Sequence, residues 1–164
     1  MRPAAPLVGL AVAIGMVSPA AADWSTRDLS LLGSYQAIGV TEDERAKFMI
    51  ECYIGYHDVF DVMIFTGERY DPESSYAPDV SISVMTDGRQ QPTVSGVFGA
   101  NLGELTVQHI ASDTATDTDK TWLQVIGAMA ASTSTIDVRF YQREYRFSSE
   151  GLAPAMRYLD EKCR

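Results

Sequence analysis

Residues 48–56 read FMIECYIGY. Phe48, Ile50, Cys52, Ile54 and Tyr56 alternate with Met49, Glu51, Tyr53 and Gly55, the period of two that a strand with one buried face imposes. That phase turns Cys52 inward. A strand so apolar on one side needs neighbours, and the sequence supplies them in both directions. Residues 59–65 (VFDVMIF) put Phe60, Val62 and Ile64 on one side, and the intervening YHD is short enough for a hairpin. Residues 80–86 (VSISVMT) alternate Val80, Ile82 and Val84 with serines, and Asp87-Gly88 supplies the positive φ of a tight turn. Two further strands, TVSGVFGA and ELTVQHI, flank 101–103. Upstream, LLGSYQAIGVT reads as the first strand and EDERAK as a charged turn or short helix, although Gly33 and Gly39 weaken a strand interior.

Helical periodicity enters later. In DTDKTWLQVIGAMAAS, behind an Asp or Thr cap, Trp122, Val125, Ile126, Met129 and Ala130 fall at i, i+3, i+4, i+7 and i+8, with Gly127 on the other face. In the C-terminal segment Leu152, Ala155, Met156, Leu159 and Cys163 form one stripe, with Ser148 or Ser149 as the expected cap and Pro154 admissible in the first turns. Between the helices, STIDVRFYQREYRF breaks parity, because Tyr145 and Phe147 lie an odd number of residues beyond Ile136, Val138 and Phe140. A two-residue loop at Gln142-Arg143 repairs it and predicts a hairpin.

The expected fold is therefore α+β: an antiparallel, curved sheet of about seven or eight strands, sandwich- or half-barrel-like, packed with two helices near the C-terminus. Arg2, the apolar run LVGLAVAIGMV and then SPAAA match a secretory signal peptide over residues 1–22, which leaves 23–164 as a single exported domain. The run is too short for a membrane span, so no integral membrane segment is expected after cleavage. Removing Arg2 makes the formal charge of −9 more negative still, which disfavours nucleic acid, since phosphate binding draws on Lys and Arg. The two cysteines, Cys52 and Cys163, read as one disulfide in an oxidising compartment, periplasmic or secreted.

The segment with Phe147, Ser148, Gly151, Leu152, Ala155, Met156 and Leu159, a strand running into F-S-x-x-G-L-x-x-A-M-x-x-L, resembles the end of invasion-associated-locus-B-like small exported proteins of Gram-negative bacteria. That resemblance implies a periplasmic or secreted β-rich domain with an accessory role at the cell surface, and it carries no active site to transfer.

Catalytic signals are sparse. His57-Asp58 matches the dipeptide of metal-dependent phosphohydrolases but sits at a hairpin turn, with His109 the one other histidine. His109 shares the phase of Leu105 and Val107, which suits a hydrogen-bonded core histidine. Asp113, Asp117 and Asp119 read as a solvated loop and helix cap, because an EF-hand starting at Asp117 would need Gly and Glu where Trp122 and Ala128 stand. No metal or cofactor is expected. Two segments suit partner binding: Arg139, Tyr141, Arg143 and Arg146 on the hairpin, placed opposite the face of Phe140 and Tyr145, and the loop bearing Tyr70 and Tyr76. The expectation is a non-enzymatic binding or accessory protein acting on another protein or an envelope component. The rival is a small periplasmic hydrolase using His57, Asp58, His109 and nearby carboxylates.

Overall fold

The computed structural model describes residues 24–56, 59–74, 76, 79–112 and 116–164. The strands are β1 (Trp24–Leu29), β2 (Ser34–Val40), β3 (Lys47–Tyr53), β4 (Asp61–Arg69), β5 (Val80–Thr86), β6 (Arg89–Gln90), β7 (Val94–Asn101), β8 (Glu104–His109), β9 (Thr135–Phe140) and β10 (Arg143–Ser148). The helices are α1 (Asp117–Ala130) and α2 (Leu152–Cys163). The strands form one antiparallel sheet in the order β1-β2-β3-β4-β8-β7-β5-β9-β10, with β6 beside β5. The α+β expectation holds, with ten strands in place of seven or eight. β1 has Trp24 as its one buried residue and so carries no hydrophobic period, while β6 is only the short return arm of the Asp87-Gly88 hairpin.

The sheet curls until its two ends approach one another. A single bridge joins Thr41, just beyond β2, to Phe147 of β10, and the Trp24 indole N–H donates to the Ser148 carbonyl at 2.8 Å. The rings behind this closure are fully buried. Phe48 lies 5.9 Å from Trp24, 5.9 Å from Phe147 and 6.4 Å from Trp122, centroid to centroid. Gly39 makes the arrangement possible, since a Cβ there would stand 2.5 Å from the Trp24 ring. The glycine that weakens β2 as a strand is thus the seat of an indole.

Both helices cover the sheet. α2 lies against β1, β2 and β3 and buries Leu152, Ala155, Leu159 and Cys163, while α1 lies against β5 and β7 and buries Trp122, Val125, Ile126 and Met129. Thr116 caps α1 in a capping box with Asp119. The cap of α2 differs from expectation. Ser148 is still paired to Thr135 in the sheet, so Gly151 takes the cap position at φ 84° and no side chain closes the end. β3 also stops earlier than its alternation suggests, because Gly55 turns the chain at φ 83° and leaves Ile54 and Tyr56 half exposed. Cys52 and Cys163 form the disulfide across a Cα–Cα distance of 6.1 Å, tying α2 to β3.

A second tie holds β9 in place. Asp87 sits in the β5–β6 turn at φ 50°, and its carboxylate accepts from the backbone N–H groups of Thr133, Ser134 and Thr135 and from the hydroxyls of Ser132, Thr133 and Ser134. These bonds, led by the Thr133 backbone, hold its carboxyl well below the usual carboxylate range.

Two outcomes are expected. Reducing Cys52–Cys163, or replacing both cysteines by serine, lowers unfolding free energy in urea by about 2–5 kcal/mol, and an unchanged urea midpoint contradicts the staple. For Asp87, a pKa depressed in the folded state gives stability that is complete above the unfolded value near pH 4 and is lost as pH falls below it. The stability difference between wild type and Asp87→Asn should therefore hold constant above about pH 5 and narrow progressively as the pH falls below about 4. A difference that does not change with pH contradicts the assignment.

Candidate functional site

Where the sheet fails to close, a cleft of about 920 Å³ remains, walled by the turn after β2, the end of β4 and the whole of β10. The turn is self-organised. Thr41 Oγ1 donates to Asp43 at 2.6 Å and accepts from the Ala46 N–H, while Arg45 Nε donates to Asp43 at 2.7 Å. The Thr41 hydroxyl and then Arg45 hold the Asp43 carboxyl down at about 2. On the second wall Gly67 lies against this turn at φ 74°, with the Arg45 carbonyl where a Cβ would meet it at 2.5 Å. The Gly67 N–H donates to Glu104 at 2.8 Å, and the β4–β8 register shifts between Phe65 and Arg69. β4 therefore bends away from its ladder partners as it reaches the cleft.

The third wall is the arginine-rich strand, and its register corrects the sequence reading. Arg143 pairs with Phe140, Tyr145 with Val138 and Phe147 with Ile136, so the two-residue loop is Tyr141-Gln142, with Tyr141 at φ 51°. Moving the loop back by one residue from Gln142-Arg143 keeps Tyr145 and Phe147 on the apolar face, since both registers satisfy parity. It also sets Glu144 opposite Arg139 and Arg146 opposite Asp137, both ion-paired at 2.7 and 2.6 Å. Opposite charges directly across a ladder favour this register. Arg143 is thereby carried onto the same face as Phe140 and Tyr145, contrary to expectation. It reaches across to β4, where Nε and Nη2 donate to Glu68 at 2.8 and 2.6 Å. That pair lowers the Glu68 pKa and raises that of Arg143. Burial, then Glu68, pushes the Tyr145 phenol up to about 12, so it faces the cleft as a neutral hydroxyl.

The two segments expected to bind partners meet here. Tyr70 stacks on Tyr76 at 5.5 Å, Tyr76 packs on Phe98 at 5.1 Å, and Phe98 lies 5.6 Å from Tyr141. Phe98 also reaches Phe140 at 6.4 Å, and Phe140 reaches Tyr145 at 5.5 Å, so the row runs into the cleft. Arg143 and Arg146 line that cleft, whereas Arg139 stands on the outer face of the hairpin. Phe98, Glu68 and Arg45 escaped the sequence reading. Phe98 stands out as the one aromatic in an otherwise small-residue strand, but Glu68 and Arg45 matter only through chain crossings that no local pattern encodes.

The histidine signals lead elsewhere. His57, Asp58 and Asp113 lie outside the described residues. His109 is partly buried, with Nε2 2.8 Å from Asp119 Oδ1 and its ring stacked on Trp122 at 5.8 Å. Asp119, expected in a solvated loop and helix cap, does serve the cap but is buried there: as the third residue of α1 its Oδ2 accepts from the Thr116 N–H and hydroxyl at 2.6 Å each. Those bonds to Thr116 and His109 outweigh burial and lower its pKa. Neither residue lines the cleft. No group of three His, Cys, Asp or Glu side chains able to hold a metal occurs among the described residues. No helix among them is long and apolar enough to cross a membrane.

No protein-family model, curated protein or solved structure matches this chain.

Asp119→Ala is expected to cost about 2–3 kcal/mol in urea unfolding, since it breaks the capping box and strands His109 in the core. A loss below about 0.5 kcal/mol would show that the pair is dispensable to the fold.

Proposed function

We propose that this chain is a non-enzymatic binding or accessory protein, exported to the periplasm or secreted, whose working surface is the aromatic row and the arginine-lined cleft beside it. The observation that carries this reading is the continuity of Tyr70, Tyr76, Phe98 and Tyr141, which fuses two segments far apart in sequence into one surface. Tyrosine supplies large contact area at low conformational cost, and arginine beside it supplies several donors, the composition of binding hot spots. The arginines in the cleft are paired. Arg45, Arg143 and Arg146 each hold a carboxylate, so no unpaired arginine among them is left to attract phosphate or nucleic acid. The signal-like start and the resemblance of the C-terminal segment to small exported accessory proteins give the same compartment.

A hydrolase is the second reading, and His109 with Asp119 is the one observation in its favour. A histidine held by a carboxylate is the orienting half of a general base. Here both oxygens of Asp119 are committed to the capping box and the imidazole, and Trp122 covers the ring. A structural role accounts for all of these contacts.

The test is recovery of partners from an envelope extract with wild type and with Tyr70→Ser/Tyr141→Ser, two side chains whose loss leaves the buried core intact. Each hot-spot tyrosine contributes about 2 kcal/mol, so the double variant should lose a specific partner by more than tenfold while melting within about 2 °C of wild type. Recovery of the same proteins in the same amounts by both forms overturns the assignment.

A further inference from the structure

β10 carries an unfilled strand edge. A two-residue hairpin closes on a hydrogen-bonded pair, here Phe140 with Arg143, and such pairs alternate along an antiparallel ladder. Arg143, Tyr145 and Phe147 therefore exchange their backbone bonds with β9. Glu144 and Arg146 must direct their N–H and C=O groups to the opposite side, which is the cleft. At Phe147 that side is taken by Thr41, a non-hydrogen-bonded pair whose ladder bonds fall on the Arg146 carbonyl and the Ser148 N–H, so the chain closes the edge at that end and leaves it open at Glu144. Among the described residues, no bond to the Glu144 amide is found from a turn, a loop or a side chain. Beyond the Thr41–Phe147 bridge, the turn after β2 and the bent end of β4 line the far side of the gap without forming a ladder with β10.

We propose that this edge takes an extended peptide segment of a partner protein, added to the sheet beside β10 within the cleft. The proposal rests on the binding reading above and gives the partner its chemistry. The exposed edge of 143–145 is about 10 Å long at a rise of ~3.3 Å per residue, enough for one short strand. A row of main-chain donors and acceptors is complemented by another peptide backbone, and a cleft whose arginines already hold carboxylates selects against strongly charged ligands. Alternate side chains of the incoming strand would face Tyr145 and the aromatic row on one side and the Arg139–Glu144 and Arg146–Asp137 pairs on the other. The preferred sequence is therefore one of aromatic or aliphatic residues alternating with uncharged polar ones.

The probe is a random decapeptide library selected on the full exported domain, followed by binding measurements on the enriched sequences. Enriched peptides should show an apolar/polar alternation, and N-methylation of alternate backbone nitrogens should weaken them at least tenfold, whereas methylation of the other set should not. Glu144→Pro removes a donor that β9 does not use, so it should retain the wild-type circular dichroism and lose peptide binding at least tenfold, while Glu144→Gln retains both. Because the methylated peptides need no protein variant, a misfolded proline variant does not remove the test. In amide exchange the free protein should leave Glu144 unprotected beside protected Tyr145, and the peptide should protect it. Failure to enrich any peptide, binding indifferent to both backbone methylation sets, or a Glu144 amide already protected in the free protein overturns the proposal. So does a chitin tetrasaccharide that shifts the β10 amides where the peptides do not, since that outcome assigns the cleft to a glycan. If the tyrosine double variant loses its partner and Glu144→Pro keeps it, the binding surface stands and the strand-addition mode falls.

Discussion

The contact on which the rest depends is the packing of Trp24 and Phe147 against Phe48. These rings come from the first, last and third strands, so burying them together bends ten strands of ladder back upon themselves. Fully burying one large apolar side chain contributes about 1.5–3 kcal/mol, and three rings in mutual contact add edge-to-face terms to that. The energy is obtained only when the sheet curls. Gly39 admits the indole, Trp122 of α1 closes over Phe48 from the concave side, and the Trp24–Ser148 bond orients the result.

Closure at one place creates the opening at another. Residues 147 and 148 meet β1 and the end of β2, whereas 143–146 have β9 on one side and the cleft on the other. A flat sheet would leave β10 as a plain solvent edge, and a complete barrel would leave no edge at all. The half-closed state holds a short strand edge in a sheltered place beside an aromatic row. The ties that fix it are remote from it. Asp87 gathers the 132–135 connection and sets where β9 begins, and the disulfide holds α2 behind β3.

What the sequence revealed follows from where the information is stored. Alternation found β3, β4 and β5, and the helical stripes placed Trp122 and Leu159 correctly; β2, buried on both faces over 34–37, carries no such period. Parity required a hairpin near residue 142 but could not choose between loops one residue apart, because both satisfy it. The choice was made by Glu68, 75 residues away in the chain, and by the opposed pairs Arg139–Glu144 and Asp137–Arg146. β1 was illegible because its one buried residue, Trp24, packs onto a glycine and onto the far end of the sheet. At the site, the tyrosines and arginines were visible as residue types. Their assembly through Phe98 and across the cleft was not, since both depend on curvature.

β10 is paired at Phe147 and unpaired at Glu144, in the register that puts the loop at Tyr141-Gln142. Short Hα–Hα distances mark non-hydrogen-bonded pairs in antiparallel ladders, so nuclear Overhauser contacts read this directly. Expected in the free protein are Hα contacts Arg139–Glu144, Asp137–Arg146 and Thr41–Phe147, with no third strand in contact with Glu144. Contacts Phe140–Tyr145 and Val138–Phe147 would place the loop at Gln142-Arg143, turn the open edge onto Tyr145 and contradict it.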